Sequence, residues 1–324
     1  MSNETEMLYG VPQGSVLGPL LFLIYINDLH VAIKYSTTRH FADDTSLLIK
    51  SKSLKQIKNH LNLDLRFLCK WLRANKISLN ASKTELLIFH HYKKKIDYDL
   101  KIKINGKRLL PSKYVKYLGI TIDSHLNWNY QIDFLSAKLS RVNGMLAKIR
   151  HLVPTNIICN IYYAIFSSLM TYGSIIWGQA DNIYTKKITI LQNKALRNIT
   201  FSSPRESTNP IYQITKILKF VDNIKLQNFL YVHDSLHRRL PTAFNNTFEP
   251  SNQKHIYPTK FSLQHQIALF KVNTQAYGLN SIKYKAISFW NNMVNKFPEK
   301  KLQSLKRNAC KLFVTKHIID SYKE

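Results

Sequence analysis

Two stretches decide how this chain folds: GVPQGSVLGPLLFLIYINDL, residues 10–29, and HFADDTSLLIK, residues 40–50. The first opens with a Gly/Pro turn region. Pro19 fits the first turn of a helix, where its missing N–H costs nothing. The helix that follows is apolar nearly all round, so it is expected to be buried. The second stretch reads as two strand-like runs flanking Asp43 and Asp44, and a hairpin is the simplest prediction. Two carboxylates held about 4 Å apart repel by roughly 4 kcal/mol at an effective dielectric of about 20. A divalent cation offsets that repulsion. Mg²⁺ takes a few carboxylates and fills its remaining positions with substrate phosphates and water. Two such ions can activate an attacking hydroxyl and stabilise a leaving pyrophosphate. For an isolated Asp-Asp pair, a turn with both side chains in solvent is the plainer reading.

Outward from this pair the pattern continues. Leu54, Ile57, Leu61, Leu65, Leu68 and Leu72 recur at three- and four-residue spacing and predict a helix over 54–75. Lys70, Arg73 and Lys76 stand at its end, where cations favour the helix dipole. Residues 77–89 read as turn, short helix or loop, and strand. Leu100, Ile102 and Ile104 alternate up to Asn105-Gly106, a strong hairpin signal. YVKYLGITID completes a small sheet near residue 122. Beyond it Ile132, Leu135, Leu139, Val142, Leu146 and Ile149 mark a helix, and further helices are expected near 155–172, 183–200, 222–240, 281–297 and 302–320. The fold class is therefore α+β to about residue 122 and mostly helical afterwards, with a polar linker-like stretch at 245–260.

The 324 residues carry 47 Lys and Arg against 19 Asp and Glu, a net charge of +28. Such a surface attracts polyanions, nucleic acid first and an anionic membrane surface second. Cys69, Cys159 and Cys310 are far apart and form no CxxC pair, which supports neither a disulfide framework nor a zinc site and suggests a reducing compartment. The N-terminus reads as no signal peptide. The apolar run from Val16 to Ile26 is too short to span a bilayer, and that from Tyr162 to Trp177 is broken by Ser, Thr and Gly. An intracellular protein, nuclear or cytoplasmic and with no membrane partner, is the expectation. Oligomeric state is not legible.

Taken in order, these segments resemble the reverse transcriptase of non-LTR (LINE-type) retrotransposons, jockey- and CR1-like elements in particular. There a PQGS segment precedes a helix and then an aromatic-x-Asp-Asp hairpin, matched here by residues 12–15 and by Phe41-Ala42-Asp43-Asp44. WLRANKISLNASKTELLIF (71–89) resembles the next block, with Asn80, Lys83 and Thr84 on its N-x-x-K-T pattern. KYLGITIDSHLNWNYQI (116–132) resembles the block that grips the primer end. LMTYGSIIWG (169–178) and LQNKALRNIT (191–200) look like the helical region that follows the palm, and SFWNNM (288–293) stands where the family often has a W-N pair. The resemblance implies a partial polymerase palm over 1–122, a helical thumb-like region over 123–244 and a C-terminal helical extension over 245–324. It implies RNA-directed DNA polymerisation, with RNA template, DNA primer and dNTPs as partners and Mg²⁺ (or Mn²⁺) as cofactor.

On this reading Asp43 and Asp44 are metal ligands, and Lys83 brings positive charge to the leaving pyrophosphate. Gln13, Gly14, Ser15, Phe41, Ala42, Tyr117, Leu118 and Gly119 contact substrate or template. Simpler readings stand beside each. Ser15 caps a helix, Lys83 is a solvated lysine, and Tyr117-Leu118-Gly119 is ordinary sheet packing. Residues 92–117 hold nine basic and two acidic residues with tyrosines interleaved, which suits a nucleic-acid backbone. Lys93, Lys94, Lys95, Lys101 and Lys103 are the candidates there, and Lys186, Lys187, Lys194 and Arg197 form a second basic face. His90-His91 lacks partners at metal-ligand spacing. The family's third carboxylate comes from an upstream palm strand, and Asp28, on the apolar helix, is no substitute. A truncated copy, inactive alone, is therefore expected. The alternatives are a non-catalytic basic nucleic-acid-binding remnant and a decaying reading frame.

Overall fold

The computed structural model describes residues 10–11, 14–94, 96, 100–244, 247–248, 267–274 and 278–323. All but two residues of the linker expected at 245–260 lie outside that set. The chain divides into two compact units, one ending at Val115 and one beginning at Lys116. The boundary falls inside a strand.

In the first unit, helix α1 spans Gly18–Ile26 and a 3-10 turn follows at Leu29–Ala32. Strands β1 (Thr37–Phe41) and β2 (Asp44–Leu48) pair antiparallel, from Thr37 opposite Leu48 to Phe41 opposite Asp44. Helix α2 spans Leu54–Ala74 and is capped by Ser53, whose Oγ accepts from the Gln56 N–H. This satisfies one of the orphan donors of the first turn. Strands β3 (Ile102–Ile104) and β4 (Lys107–Leu109) pair antiparallel around Asn105-Gly106. Leu61, Leu65, Leu68 and Leu72 of α2 bury their stripe against Leu100, Ile102, Ile104 and Leu109. Each such side chain contributes roughly 1.5–3 kcal/mol by leaving water.

Two expectations fail in this unit. Helix α1 is not buried. Only Gly18 and Ile26 are inside, while Leu20, Leu21, Leu23, Ile24 and Tyr25 are exposed, Ile24 at 64%. Apolarity makes a helix seek cover, but a second element must supply it, and among the described residues the small core takes only Ile26, Leu29 and part of Phe22. The strand expected near 85–89 shrinks to a single bridge between Leu86 and Pro111. Among the described residues the strands form three separate two-stranded ladders, each hairpin closing locally.

The second unit begins with hairpin β5–β6, Tyr114–Tyr117 and Ile120–Asp123, whose first residues belong to the unit before. Helix α3 (Asn129–Ile149) packs against α7 (Asn182–Thr200). Between them α4 (Thr155–Ile161) runs through a π-helical turn (Tyr162–Ser167) into α5 (Ser168–Thr171) and, after Gly173, α6 (Ser174–Trp177). Helix α8 (Asn209–Thr215), which the periodicity did not reveal, starts at a proline. Helix α9 (Phe220–Leu236) packs on α10 (Ile282–Lys296) and α11 (Arg307–Asp320). The core is continuous, with Tyr162, Phe166, Trp177, Tyr212, Phe220, Phe229 and Trp290 almost fully buried. The last helix starts later than expected, because Lys301 adopts φ +41° and a 3-10 turn precedes it. No helix among the described residues is long and apolar enough to cross a membrane.

Candidate functional site

Hairpin β1–β2 turns through Ala42 and Asp43, with Asp44 already the first residue of β2. Ala42 supplies the reversal at φ +51°, a left-handed conformation that a residue with a Cβ adopts at a cost of roughly 1–2 kcal/mol. Phe41, Ala42, Asp43 and Asp44 are all exposed. Among the described residues no group of three or more His, Cys, Asp or Glu side chains is arranged to hold a metal ion. The tip thus offers two adjacent hard oxygen donors open to solvent.

The hairpin is positioned from behind by a residue that sequence reading passed over. Asp64 of α2 is fully buried. Its Oδ1 accepts from the backbone N–H of Lys34 at 3.0 Å, and its Oδ2 accepts from Ser36 at 2.7 Å, with the Tyr35 N–H shared between them. These donors lie immediately before β1, so α2 fixes where the strand that carries Asp43 begins. Charge-assisted bonds of this kind are the strong ones. The sequence signal was present: Asp64 sits inside the Leu61, Leu65, Leu68 stripe, where a charge is out of place unless bonded.

The remaining candidates fall on several segments. Gly14 takes φ +89° with open space where a Cβ would stand, so its conformation and not crowding calls for glycine. Ser15 Oγ accepts from the Gly18 N–H at 3.1 Å and serves the start of α1. Gln13 and Lys95 lie outside the described residues. Lys83 follows an Asn80-centred turn in which Asn80 Oδ1 accepts from the backbone N–H groups of Ser82 and Lys83, and its side chain is exposed. Lys93 and Lys94 are exposed beside Tyr92. Lys101 and Lys103 project from the approach to β3 and from β3 itself.

Tyr117, Leu118 and Gly119 belong to the second unit. Leu118 (φ +46°) and Gly119 (φ +79°) are both left-handed, the geometry of a type I′ hairpin turn. Tyr172 locks it. Its Oη donates to the Leu118 carbonyl at 2.7 Å, and a Cβ on Gly119 would stand 3.2 Å from the Tyr172 ring. The neighbouring block is equally close-packed, since a Cβ on Gly173 would meet Ile120 at 2.4 Å, and one on Gly178 would meet the Ser174 carbonyl at the same distance. In the block 191–200 the buried Gln192 donates to Tyr162 Oη and to the Leu218 carbonyl and accepts from the Phe220 N–H. The second basic face is partly committed internally: Lys187 pairs with Asp133 at 2.6 Å, and Arg197 donates to the Glu206 carbonyl.

Comparison with known proteins agrees with this arrangement of blocks. Residues 3–122 match the family described as reverse transcriptase (RNA-dependent DNA polymerase). The chain is 31% identical over 261 residues to the RNA-directed DNA polymerase from mobile element jockey of Drosophila melanogaster, which covers 75% of this chain and 28% of that protein. It is 28% identical over 272 residues to the probable RNA-directed DNA polymerase from transposon X-element of the same fly, covering 77% and 28%. It is 30% identical over 207 residues to the corresponding protein from transposon BS, covering 60% and 22%. The chain thus spans less than a third of the length of these relatives. No solved structure matches it.

Proposed function

We propose that this chain, whose residues 3–122 match the reverse transcriptase family and which is 31% identical over 261 residues to a jockey polymerase, acts on nucleic acid as part of an RNA-directed DNA polymerase, with Asp43 and Asp44 as ligands for Mg²⁺. The observation that carries this reading is the Phe41-Ala42-Asp43-Asp44 hairpin, whose tip exposes two consecutive aspartates to solvent. Two hard oxygen donors fit part of a magnesium shell, which commonly takes one or two carboxylates and completes itself with substrate phosphates. When bound, the ion would supply charge neutralisation and nucleophile activation in phosphoryl transfer.

The chain's own residues then have defined tasks. Asp64 holds the start of β1, so that Asp43 and Asp44 project from a fixed hairpin. Lys83 offers a point positive charge on an ordered turn, suited to phosphate. Gly14 and Ser15 shape the entry to α1 for template or nucleotide. The Leu118-Gly119 turn, braced by Tyr172, presents backbone to a primer. RNA template, DNA primer and dNTPs are the proposed partners.

Paramagnetic Mn²⁺ tests the central element. Backbone signals of residues 40–46 should broaden first, and the effect should vanish in Asp43→Asn with Asp44→Asn. Uniform broadening along the chain would remove the pair as a metal site. Single-strand binding that survives such a result would favour the second reading, a non-catalytic nucleic-acid-binding protein.

A further inference from the structure

The strongest charged feature outside the hairpin is a groove of about 880 Å³ in the first unit, between α2 and the β3–β4 hairpin. Six cationic residues line it: Lys58, Arg66, Lys70 and Arg73 from α2, and Lys101 and Lys103 from the β3 side. Among the described residues no acidic side chain and no aromatic ring lines it. The one carboxylate in the middle of α2, Asp64, is turned away into the interior and spent on backbone N–H groups. Asn62 ties the two walls together, accepting from the Lys103 N–H at 2.9 Å and donating to the Lys101 carbonyl at 3.4 Å. Arg73 donates to the Asn105 side chain at the hairpin turn. The floor includes the carbon surfaces of Leu63, Leu65 and Cys69.

We propose that this groove is a track for the sugar-phosphate backbone of a single-stranded nucleic acid, distinct from the Asp43–Asp44 hairpin. The proposal rests on the nucleic-acid reading above and adds to it the cationic face of α2. Residues 58, 62, 66 and 70 recur every fourth position, about 6 Å apart along the helix axis, and the row from 58 to 73 is about 22 Å long. A row of that length matches a linear, regularly charged polymer, whereas a compact anion would engage only part of it. Uncompensated lysines and arginines are the groups that displace counterions from phosphates. With no ring among the described lining residues, the contact reads backbone and not bases, so it is indifferent to sequence.

Cys69 provides a local reporter. It is half-buried and lines the groove, while Cys310 is buried in the second unit. The peptides that carry Cys69, Cys159 and Cys310 differ in mass, so labelling at Cys69 is read separately from the other two. In the full chain, labelling of Cys69 by iodoacetamide is followed by mass spectrometry with and without a single-stranded RNA of about 16 nucleotides. At ten times its Kd the RNA should slow labelling about tenfold. In Arg66→Gln with Lys70→Gln, both solvent-facing, the slope of log K against log[salt] should flatten by about 1.4, two phosphates at roughly 0.7 each. Unchanged melting of this double variant is the control for folding. Binding with Cys69 unprotected and the slope unchanged would overturn the groove and leave the general nucleic-acid reading intact. Absence of any binding would overturn both. Equal protection by tripolyphosphate or by polyglutamate would make the groove a general anion surface and overturn the proposal.

Discussion

Ala42 and Gly119 occupy the same backbone region with opposite suitability. Ala42 turns the acidic hairpin at φ +51° although it carries a Cβ. Ala42→Gly should therefore stabilise the first unit by about 0.5–1 kcal/mol, the relief of the left-handed strain less the greater chain entropy of glycine. The urea midpoint measures this, and a lower midpoint would show that something other than the turn holds Ala42. Gly119 has φ +79° and the Tyr172 ring at its back, so Gly119→Ala should destabilise the second unit by about 2 kcal/mol. Tyr172→Phe should cost about 1 kcal/mol, the worth of one hydrogen bond. If Gly119→Ala were silent, the turn would not be the tight one described. The resemblance had marked Tyr117-Leu118-Gly119 for primer contact. The geometry adds a packing reason for the glycine that operates whether or not a primer binds.

Helices in this protein are placed by buried polar side chains as much as by apolar stripes. Asp64 joins α2 to the segment ahead of β1, and Gln192 joins α7 to Tyr162, Leu218 and Phe220. Asp123 does the same for the loop into α3, accepting from the N–H groups of His125, Asn127 and Trp128. Removing such a side chain leaves several buried groups without partners, each costing about 1–3 kcal/mol. Asp64→Ala should lower hydrogen-exchange protection across residues 34–48 while leaving α3 and α7 protected. Equal loss everywhere would mean that Asp64 supports the whole fold and not the hairpin. Gln192→Leu should cost about 3 kcal/mol in the second unit, read from its denaturation midpoint. Sequence reading singled out none of these three residues, although Asp64 carried a signal in its position within an apolar stripe.

At the scale of the molecule, buried histidine sets a pH dependence. His233 is buried, with Nε2 against the Leu305 carbonyl. Burial, and next to it the neighbouring His237, hold its pKa below the ordinary value against the opposing pull of that carbonyl and Asp234. His317 is lowered too, by burial and then by Lys296. A depressed histidine binds fewer protons folded than unfolded, so stability is full above the unfolded pKa of about 6.5 and falls as pH drops below it. The slope contributed by each group is at most about 1.4 kcal/mol per pH unit. Thermal melts from pH 8 to 5 should show this decline, and His233→Gln should make it shallower. A decline that begins instead above pH 7 would rule these groups out. Catalysis is also a property of the whole. Any extension of a primed RNA template in Mg²⁺ or Mn²⁺ should disappear in Asp43→Asn with Asp44→Asn. Extension that survives this change would remove the hairpin from the metal site.

What the sequence determined by itself was everything local. Period-two and period-3.6 patterns located the acidic hairpin, α2, α3, α7, α9, α10 and α11 within a few residues, because those patterns report a single element's own buried face. Ordered short blocks were enough to show the resemblance to reverse transcriptases, and the family match over residues 3–122 agrees with it. Other features were decided only in three dimensions. Whether α1 is covered depends on what lies over it, and its own apolarity carries no record of that. The three hairpins stay separate because a ladder needs a partner strand that no local pattern specifies. The basic groove unites Lys58, Arg66, Lys70 and Arg73 with Lys101 and Lys103; sequence reading put Lys70 and Arg73 at a helix end and Lys101 and Lys103 in a separate basic run, and singled out neither Lys58 nor Arg66. Charge on a surface acts through space, and only the packing of α2 on β3 brings those cations to one track.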